Sequence, residues 1–204
     1  MASFHHHQDR MLKSPPLSEF VCMALGTRHS IGVTADGTAY SWGNSNAVGQ
    51  LGRSTTGDGS GSCKHPTPIP ITTKITRAFC SHGCSTGSGH SALLDVEGRL
   101  WMAGCDRWQQ LGLGSVHGGS AGYTWIDGKL WQDRFVPSES VLALIQEKSM
   151  SIRDVALGGD HTLVLASNQK DVYCFGKGGD GQLGLVGKPF VSAPVKSKTL
   201  SESG

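Results

Sequence analysis

A cluster of thiol and imidazole side chains lies within one short stretch of the sequence. Its members are Cys80, His82, Cys84 and His90. Thiolate and imidazole groups are the ligands that structural zinc prefers, commonly with two residues between paired cysteines. Here three residues separate the cysteines, and the histidines are interleaved with glycines. We therefore interpret Cys80 as a strand residue, and we predict no metal site and no cofactor.

Other chemistry is also poorly supported by the sequence. The glycine-rich stretch at 83–89 is not followed by Lys-Ser/Thr or by a helical pattern, so it does not resemble a phosphate-binding loop. Acidic residues lie at or near expected hairpin turns, where they need no catalytic explanation: Asp36, Asp95, Glu97 and Asp171. We predict no catalytic residues, and we predict that the chain is not an enzyme.

Histidine and glutamine recur along the chain at a fixed separation. Three histidines are each followed, 21, 20 and 21 residues later, by a glutamine: His29 and Gln50, His90 and Gln110, His161 and Gln182. The steps from one histidine to the next are 61 and 71 residues, so the connections vary while the units keep their length. The chain is therefore a repeat protein.

Each unit has the composition of several short strands. In the first unit, an apolar run from His29 is followed by the turn Asp36-Gly37 and by a return strand from Thr38 to Trp42. Apolar runs at 20–25, 75–80 and 152–157 precede the three units, and 69–75 alternates like an edge strand. The segment 138–150 fits either a short helix or a strand followed by a loop.

These units resemble the repeat of the regulator-of-chromosome-condensation family. The first unit carries the family's motif residues: Gly26, His29, Ser30, Asp36, Gly37, Tyr40, Trp42, Gly43, Gly49, Gln50, Leu51 and Gly52. In the third unit Phe175 stands at the tryptophan position, and in the second Ala103 stands there, with Gln109 in place of the glycine before Gln110. The resemblance covers residues 20 to about 196.

The resemblance implies an all-β fold built from β-propeller-type blades. We expect about three four-stranded antiparallel blades that form an incomplete ring. The predicted boundaries are a flexible leader at 1–18, one repeat domain at 19–196 and a flexible tail at 197–204. The repeats are placed at about 20–70, 75–137 and 151–196, and the second includes an aromatic insert at 113–137, where an Asp127-Gly128 turn suggests an extra hairpin.

The repeated side chains have structural roles in this interpretation, because a catalytic residue is rarely triplicated. We expect the histidines to bond neighbouring backbone within their own blade, the glutamines to join one blade to the next, and Trp42 to lie in the core. These repeat-structural residues are His29, His90, His161, Trp42, Gln50, Gln110 and Gln182. Tyr123, Trp125 and Trp131 of the insert are the candidate partner-binding residues, because aromatic side chains are common anchors in interfaces.

Composition limits the class of partner. The net charge of +2 is too small to indicate nucleic acid as a partner. The sequence contains no run of 18 apolar residues, so it does not indicate a membrane span. The six cysteines follow no secretory signal, which favours free thiols in a reducing intracellular compartment. We expect the cytoplasm, including cytoskeletal or ciliary structures, in preference to the nucleus or mitochondria.

An incomplete ring leaves strand edges and apolar faces open, and these need to be covered. The sequence therefore predicts a non-catalytic scaffold or protein-interaction subunit of a larger assembly. Its partners are proteins that complete or cover the open edges, or a second copy of the chain. The resemblance leaves two alternatives: a guanine nucleotide exchange factor or regulator of a small GTPase, and a chromatin-associated binding module.

Overall fold

Three antiparallel sheets follow one another along the chain. The computed structural model describes residues 15–16, 19–53, 63–82, 89–114, 123–126 and 129–201. We call the sheets blades 1, 2 and 3. Blades 1 and 3 run in chain order, whereas in blade 2 the last strand of the chain order pairs with the third strand and the strand before it lies at the edge. The all-β prediction of about three four-stranded antiparallel blades is confirmed, with an additional fifth strand in blade 2.

Thirteen strands and two helices make up the described part of the chain. Blade 1 contains β1 (Phe20–Leu25), β2 (His29–Thr34), β3 (Ala39–Gly43) and β4 (Cys63–Pro68). Blade 2 contains β5 (Ile75–Cys80), β6 (His90–Asp95), β7 (Leu100–Cys105), β8 (Tyr123–Ile126) and β9 (Lys129–Pro137), and α1 (Glu139–Lys148) follows. Blade 3 contains β10 (Ile152–Leu157), β11 (His161–Ala166), β12 (Val172–Lys177) and β13 (Phe190–Lys196), and α2 (Lys198–Ser201) follows.

The second and third strands of every blade are joined by a turn that the sequence specifies. In blade 1, Asp36 Oδ1 accepts hydrogen bonds from the Thr38 amide at 3.0 Å and from Thr34 Oγ1 at 2.6 Å. Gly37 has a φ of 87°, in the left-handed region that suits glycine. Asp95 and Asn168 accept the corresponding amide bonds in blades 2 and 3. In each of the three hairpins, a carboxylate or amide oxygen of the turn therefore accepts the amide that leads into the return strand.

The core lies between the blades and forms two apolar clusters. The first apolar cluster joins blades 1 and 2 and includes Ile31, Ala78 and Leu93. The second joins blades 2 and 3 and includes Met102, Val164 and Phe175, together with Val141 and Leu144 of α1. Alternate residues of each strand thus pack toward the preceding or the following blade, which is how a repeat array buries its apolar surface.

Several segments differ from, or complete, the sequence-based expectations. The fourth strand of blade 1 lies at 63–68, before the expected edge strand at 69–75, and its prolines are compatible with a sheet edge. The segment 138–150 forms α1, and the aromatic insert forms the β8–β9 hairpin, whose second strand is also the fourth strand of blade 2. A helical turn occupies 198–201 in the segment expected to be a flexible tail. Most of the leader lies outside the described residues.

None of the helices in the described residues is long and apolar enough to cross a membrane.

Candidate functional site: interblade ties and open blade faces

Blades 1 and 2 are joined by a histidine, a hydroxyl and a carbonyl. His29 Nε2 lies 2.8 Å from Ser91 Oγ, and that hydroxyl donates to the Gln50 carbonyl oxygen at 2.8 Å. His29 and Ser91 are buried. Because the single hydroxyl hydrogen goes to the carbonyl, the hydroxyl accepts from the histidine, which therefore carries its proton on Nε2. We call this arrangement the interblade tie.

Blades 2 and 3 are joined by the same interblade tie. His90 Nε2 lies 3.1 Å from Thr162 Oγ1, and this hydroxyl donates to the Gln110 carbonyl oxygen at 2.7 Å. All three residues are fully buried. In each tie, one blade supplies the histidine and the carbonyl, and the next blade supplies the hydroxyl.

Burial keeps both histidine rings neutral near pH 7. It lowers the pKa of His29 from 6.5 to about 4, and the nearby His82 lowers it further. The pKa of His90 falls from 6.5 to about 3, first because of burial and then because His161 and His29 are near. The interblade ties are thus hydrogen bonds between neutral groups.

The glutamine side chains bond within their own loops. Gln50 Oε1 accepts from the Val48 amide at 3.2 Å, and Gln110 Oε1 accepts from the Trp108 amide at 2.8 Å. Gln182 Oε1 makes the same bond to the Asp180 amide at 2.9 Å. The expected connection between blades is therefore made by the backbone carbonyl of Gln50 or Gln110, while the side chain shapes the loop that presents this carbonyl.

The histidine bonds also differ in detail from the expectation. The rings of His29 and His90 reach the following blade, where a hydroxyl receives them, and do not bond the backbone of their own blade. The sequence of a single repeat does not show which blade lies beside a given side chain. Ser91 and Thr162 were not among the predicted site residues, although a hydroxyl residue directly follows each repeated histidine.

The third copies of these groups lie at an open end. His161 and Gln182 are only partly buried, and no side chain in the described residues bonds to the His161 ring or the Gln182 carbonyl. At the other end, Ser30 occupies the position of Ser91 and Thr162, and its hydroxyl forms no hydrogen bond with described residues. The two end blades therefore each carry half of an interblade tie.

The outer face of blade 1, which points away from blade 2, is apolar. Met23 pairs with Gly32 in the same register as Ala78 with Leu93 and as Val155 with Val164. Ala78 and Val155 are buried against the preceding blade, whereas Met23 is 48% exposed and the nearby Leu25 is 60% exposed. Apolar side chains at interface positions thus remain open to solvent.

Aromatic side chains cover part of this outer face. Phe20 stacks on Trp42 and contacts Tyr40 edge-on, each with ring centroids 5.7 Å apart. Trp42 is half-buried, whereas Phe175, at the same position of blade 3, is fully buried in the second apolar cluster. Trp42 therefore lies at the margin of the core in the described part of the chain.

The candidate partner-binding residues of the insert are only partly described. Trp131 lies in β9 opposite Cys105 and is half-buried. Tyr123 and Trp125 belong to β8, and their side chains lie outside the described part of the structure. Their proposed role in partner binding stays a prediction.

The residues of the candidate zinc cluster occupy different environments. Cys80 is buried, its thiol donates to the Ala24 carbonyl at 3.5 Å, and burial raises its pKa to about 12. His90 is engaged in an interblade tie, and Cys84 lies outside the described residues. No group of three or more metal-binding side chains occurs among the residues that the structure describes.

Two ion pairs between blades 2 and 3 were not anticipated from the sequence. Arg77 lies 2.8 Å from Asp154, and Arg107 lies 3.3 Å from Asp160. The second pair joins the loop of blade 2 to the residue just before the repeated histidine of blade 3. No pattern within one repeat indicates such pairs, since their partners belong to different repeats.

Comparison with known sequences agrees with this repeat architecture. The regulator of chromosome condensation (RCC1) repeat matches residues 36–94 and 97–165, and a second description of the same repeat matches 20–50 and 152–182. The chain belongs to the RCC1 repeat family. The matched unit 36–94 begins at the turn of blade 1 and ends in the second strand of blade 2, so it contains both Gln50 and Ser91. One sequence repeat therefore contains the carbonyl and the hydroxyl of an interblade tie, while His29, the histidine of that tie, lies before the matched unit.

Individual relatives are longer than this chain. It is 30% identical over 202 residues to the zebrafish (Danio rerio) protein RCC2 homolog and 30% identical over 197 residues to mouse (Mus musculus) RCC2, covering 88% of this chain in each case. It spans 36% and 35% of these proteins. Prp20p from Saccharomyces cerevisiae, whose crystal structure was described with its binding to Gsp1p and histones, superposes with a TM-score of 0.70. The superposition covers 88% of this chain and 38% of Prp20p at 23% identity, and it supports the propeller fold.

Proposed function

We propose that this chain is a non-catalytic protein-interaction module, and that the outer faces of blades 1 and 3 bind protein partners. One observation carries the proposal: groups that close both internal interfaces are repeated at the two ends without a described partner. Met23 and Leu25 on blade 1 and His161 on blade 3 are the clearest examples. Open apolar faces and strand edges of a repeat array favour association.

Site-specific photocrosslinking in the cells that produce the protein tests this function. A photoreactive amino acid at Leu25 places the probe on the outer face of blade 1, and one at Asp180 places it in the exposed loop of blade 3 that carries Gln182. The matched control is Val96, which is similarly exposed but lies in the β6–β7 turn. We expect a discrete protein adduct from the outer-face probes and none from Val96. Absence of an adduct from both outer faces contradicts the proposed function.

A second candidate function is regulation of a small GTPase. The observation that favours it is the similarity in fold to Prp20p, described with its binding to Gsp1p, although the chain spans only 38% of Prp20p. Mixing the chain with Gsp1p carrying a fluorescent guanine nucleotide tests this candidate. Faster nucleotide release supports it, and an unchanged release rate with no binding removes it.

Histone binding, the third candidate, predicts an affinity that falls steeply with salt.

A further inference from the structure

The two open ends of the array are complementary in their hydrogen-bonding groups. In both internal ties, the earlier blade supplies a histidine and a carbonyl, and the later blade supplies a hydroxyl. At the ends, blade 3 offers the His161 ring and the Gln182 carbonyl, and blade 1 offers the Ser30 hydroxyl. The half that is missing at each end is thus present at the other end of the same chain.

The apolar groups at the two ends are complementary as well. Ile31 of blade 1 and Ala92 of blade 2 occupy equivalent positions opposite the third strand of their own blade. Both side chains are fully buried against the following blade. Leu163 occupies the equivalent position in blade 3 but is only partly buried. Met23 and Leu25 are the exposed counterparts on blade 1. Contact between the two outer faces would bury all three side chains, as the internal interfaces do.

Charges at the two ends have opposite signs. Between blades 2 and 3, an arginine in the loop of one blade pairs with the aspartate that precedes the repeated histidine of the next: Arg107 and Asp160. At the ends, the loop of blade 3 carries Asp180, and the residue before His29 is the exposed Arg28. Asp180 now contacts Lys177 at 2.8 Å, but its side chain is 73% exposed and remains accessible. Asp180 lies two residues before Gln182, whereas Arg107 lies three residues before Gln110, so the two pairs are not at identical positions. The opposite charges of Asp180 and Arg28 nevertheless favour contact between the two ends.

From these three matches, we propose that the outer face of blade 3 binds the outer face of blade 1 of a second copy. Ser30 of that copy lies between the His161 ring and the Gln182 carbonyl, and its Arg28 lies beside Asp180. This inference rests on the proposed function, since it names the protein that the open faces bind. The contact is head-to-tail, so a bound pair still has one open face of each kind, and association continues unless a ring closes.

A complementation experiment with two blocked variants tests the proposal. Leu25→Arg places a charge in the outer face of blade 1, and Asp180→Arg places a positive charge opposite Arg28. Both positions are exposed, so the monomer fold is expected to be retained, which thermal unfolding of dilute samples checks. Mass is then measured by sedimentation velocity over a wide concentration range. Val96→Arg, an exposed position outside both faces, is the matched control.

We expect the unchanged protein and Val96→Arg to form species that grow with concentration, while each blocked variant alone remains a monomer. An equimolar mixture of the two blocked variants should form a one-to-one dimer, because one intact pair of faces remains. A dimer formed by one blocked variant alone overturns the head-to-tail contact. A monomer at every concentration overturns self-association, while outer-face crosslinks to another protein would leave the proposed function in place.

Discussion

Asp106 forms a hydrogen bond within its loop, but the burial of its carboxyl group lowers the free energy of unfolding. Its Oδ1 accepts a hydrogen bond from the Leu111 amide at 2.9 Å, yet burial raises the pKa of its carboxyl from 3.8 to about 7. The folded protein therefore holds this proton at pH values where the unfolded chain releases it. As pH rises from about 4 to 7, this group reduces the free energy of unfolding by about 1.4 kcal/mol per pH unit.

We predict that Asp106→Asn stabilises the protein at pH 8, by about 2 kcal/mol or more. The expected gain arises because the amide cannot ionise, whereas its oxygen can still accept the Leu111 amide. Blade 1 already has this arrangement, since Asn46 Oδ1 accepts from the Leu51 amide at 2.7 Å. Denaturant unfolding at pH 8 measures the change.

The matched control for this prediction is Asp36→Asn at the turn of blade 1. Hydrogen bonds from Thr34 and Thr38 lower the pKa of the exposed Asp36, so neutralising it should give no gain in stability. Equal stabilisation by both substitutions would contradict the explanation based on burial.

The hydroxyl of Thr162 should contribute more to the stability of the interface between blades 2 and 3 than the volume of its side chain does. Thr162→Val keeps the shape but leaves the His90 Nε2 proton and the Gln110 carbonyl without their partner in a buried site. We expect the free energy of unfolding to fall by about 1–3 kcal/mol. Thermal or denaturant unfolding measures this loss.

Thr162→Ser serves as the control for the hydroxyl, because it keeps the group and removes only a methyl. If the tie stabilises the interface, serine should retain most of the stability that valine loses. A valine variant as stable as the serine variant would show that the tie contributes nothing.

Two glycines with positive φ allow the cost of backbone strain to be distinguished from the cost of a steric clash. Gly52 has a φ of 64°, and an added Cβ would collide with the Phe135 ring. Gly98 has a φ of 78°, with nothing within 4 Å of the added Cβ. We expect Gly98→Ala to cost about 1 kcal/mol from strain alone and Gly52→Ala to cost clearly more. Equal losses in denaturant unfolding would mean that the Phe135 contact is relieved without cost.

The strands and turns could be predicted because their signals are local. Asp36-Gly37 and the apolar runs of β1, β5 and β10 each lie within a few consecutive residues, and the structure forms them there. The sequence does not distinguish a helix from a strand at α1, because the apolar residues at 141, 142, 144 and 145 fit both. Packing of Val141 and Leu144 between blades 2 and 3 favours the helix, and a short segment alone does not contain that information.

The interblade ties could be predicted only in part for the same reason. Recurrence identified the histidines and the glutamines, whereas the partner of each histidine lies 62 or 72 residues further along the chain. The ion pairs Arg77–Asp154 and Arg107–Asp160 join residues that do not recur from one repeat to the next, so recurrence does not indicate them. Contacts between repeats depend on how the blades stack. Because the connectors differ in length, the residues that contact each other have no constant separation along the chain.

For the whole molecule, buried histidines and a buried aspartate give stability a pH dependence of defined sign. His29 and His90 have folded pKa values of about 4 and about 3, below the value of 6.5 in the unfolded chain. Their contribution to stability is complete above pH 6.5. It is lost as pH falls toward the folded values, because the unfolded chain then binds protons that the folded protein cannot. Burial also lowers the pKa of His161, which adds in the same direction.

We predict that, between pH 6 and 4.5, stability falls with decreasing pH more steeply in Asp106→Asn than in the unchanged protein. The two histidines together remove about 3 kcal/mol per pH unit, and Asp106 returns about half of this by holding its proton in the folded state. Removing the aspartate leaves the histidine effect unopposed, so the slope should approximately double. Denaturant unfolding at a series of pH values measures both slopes. Parallel slopes would show that Asp106 does not hold a proton in this range, and a flat profile in both proteins would show that the histidines of the interblade ties are not buried as neutral groups.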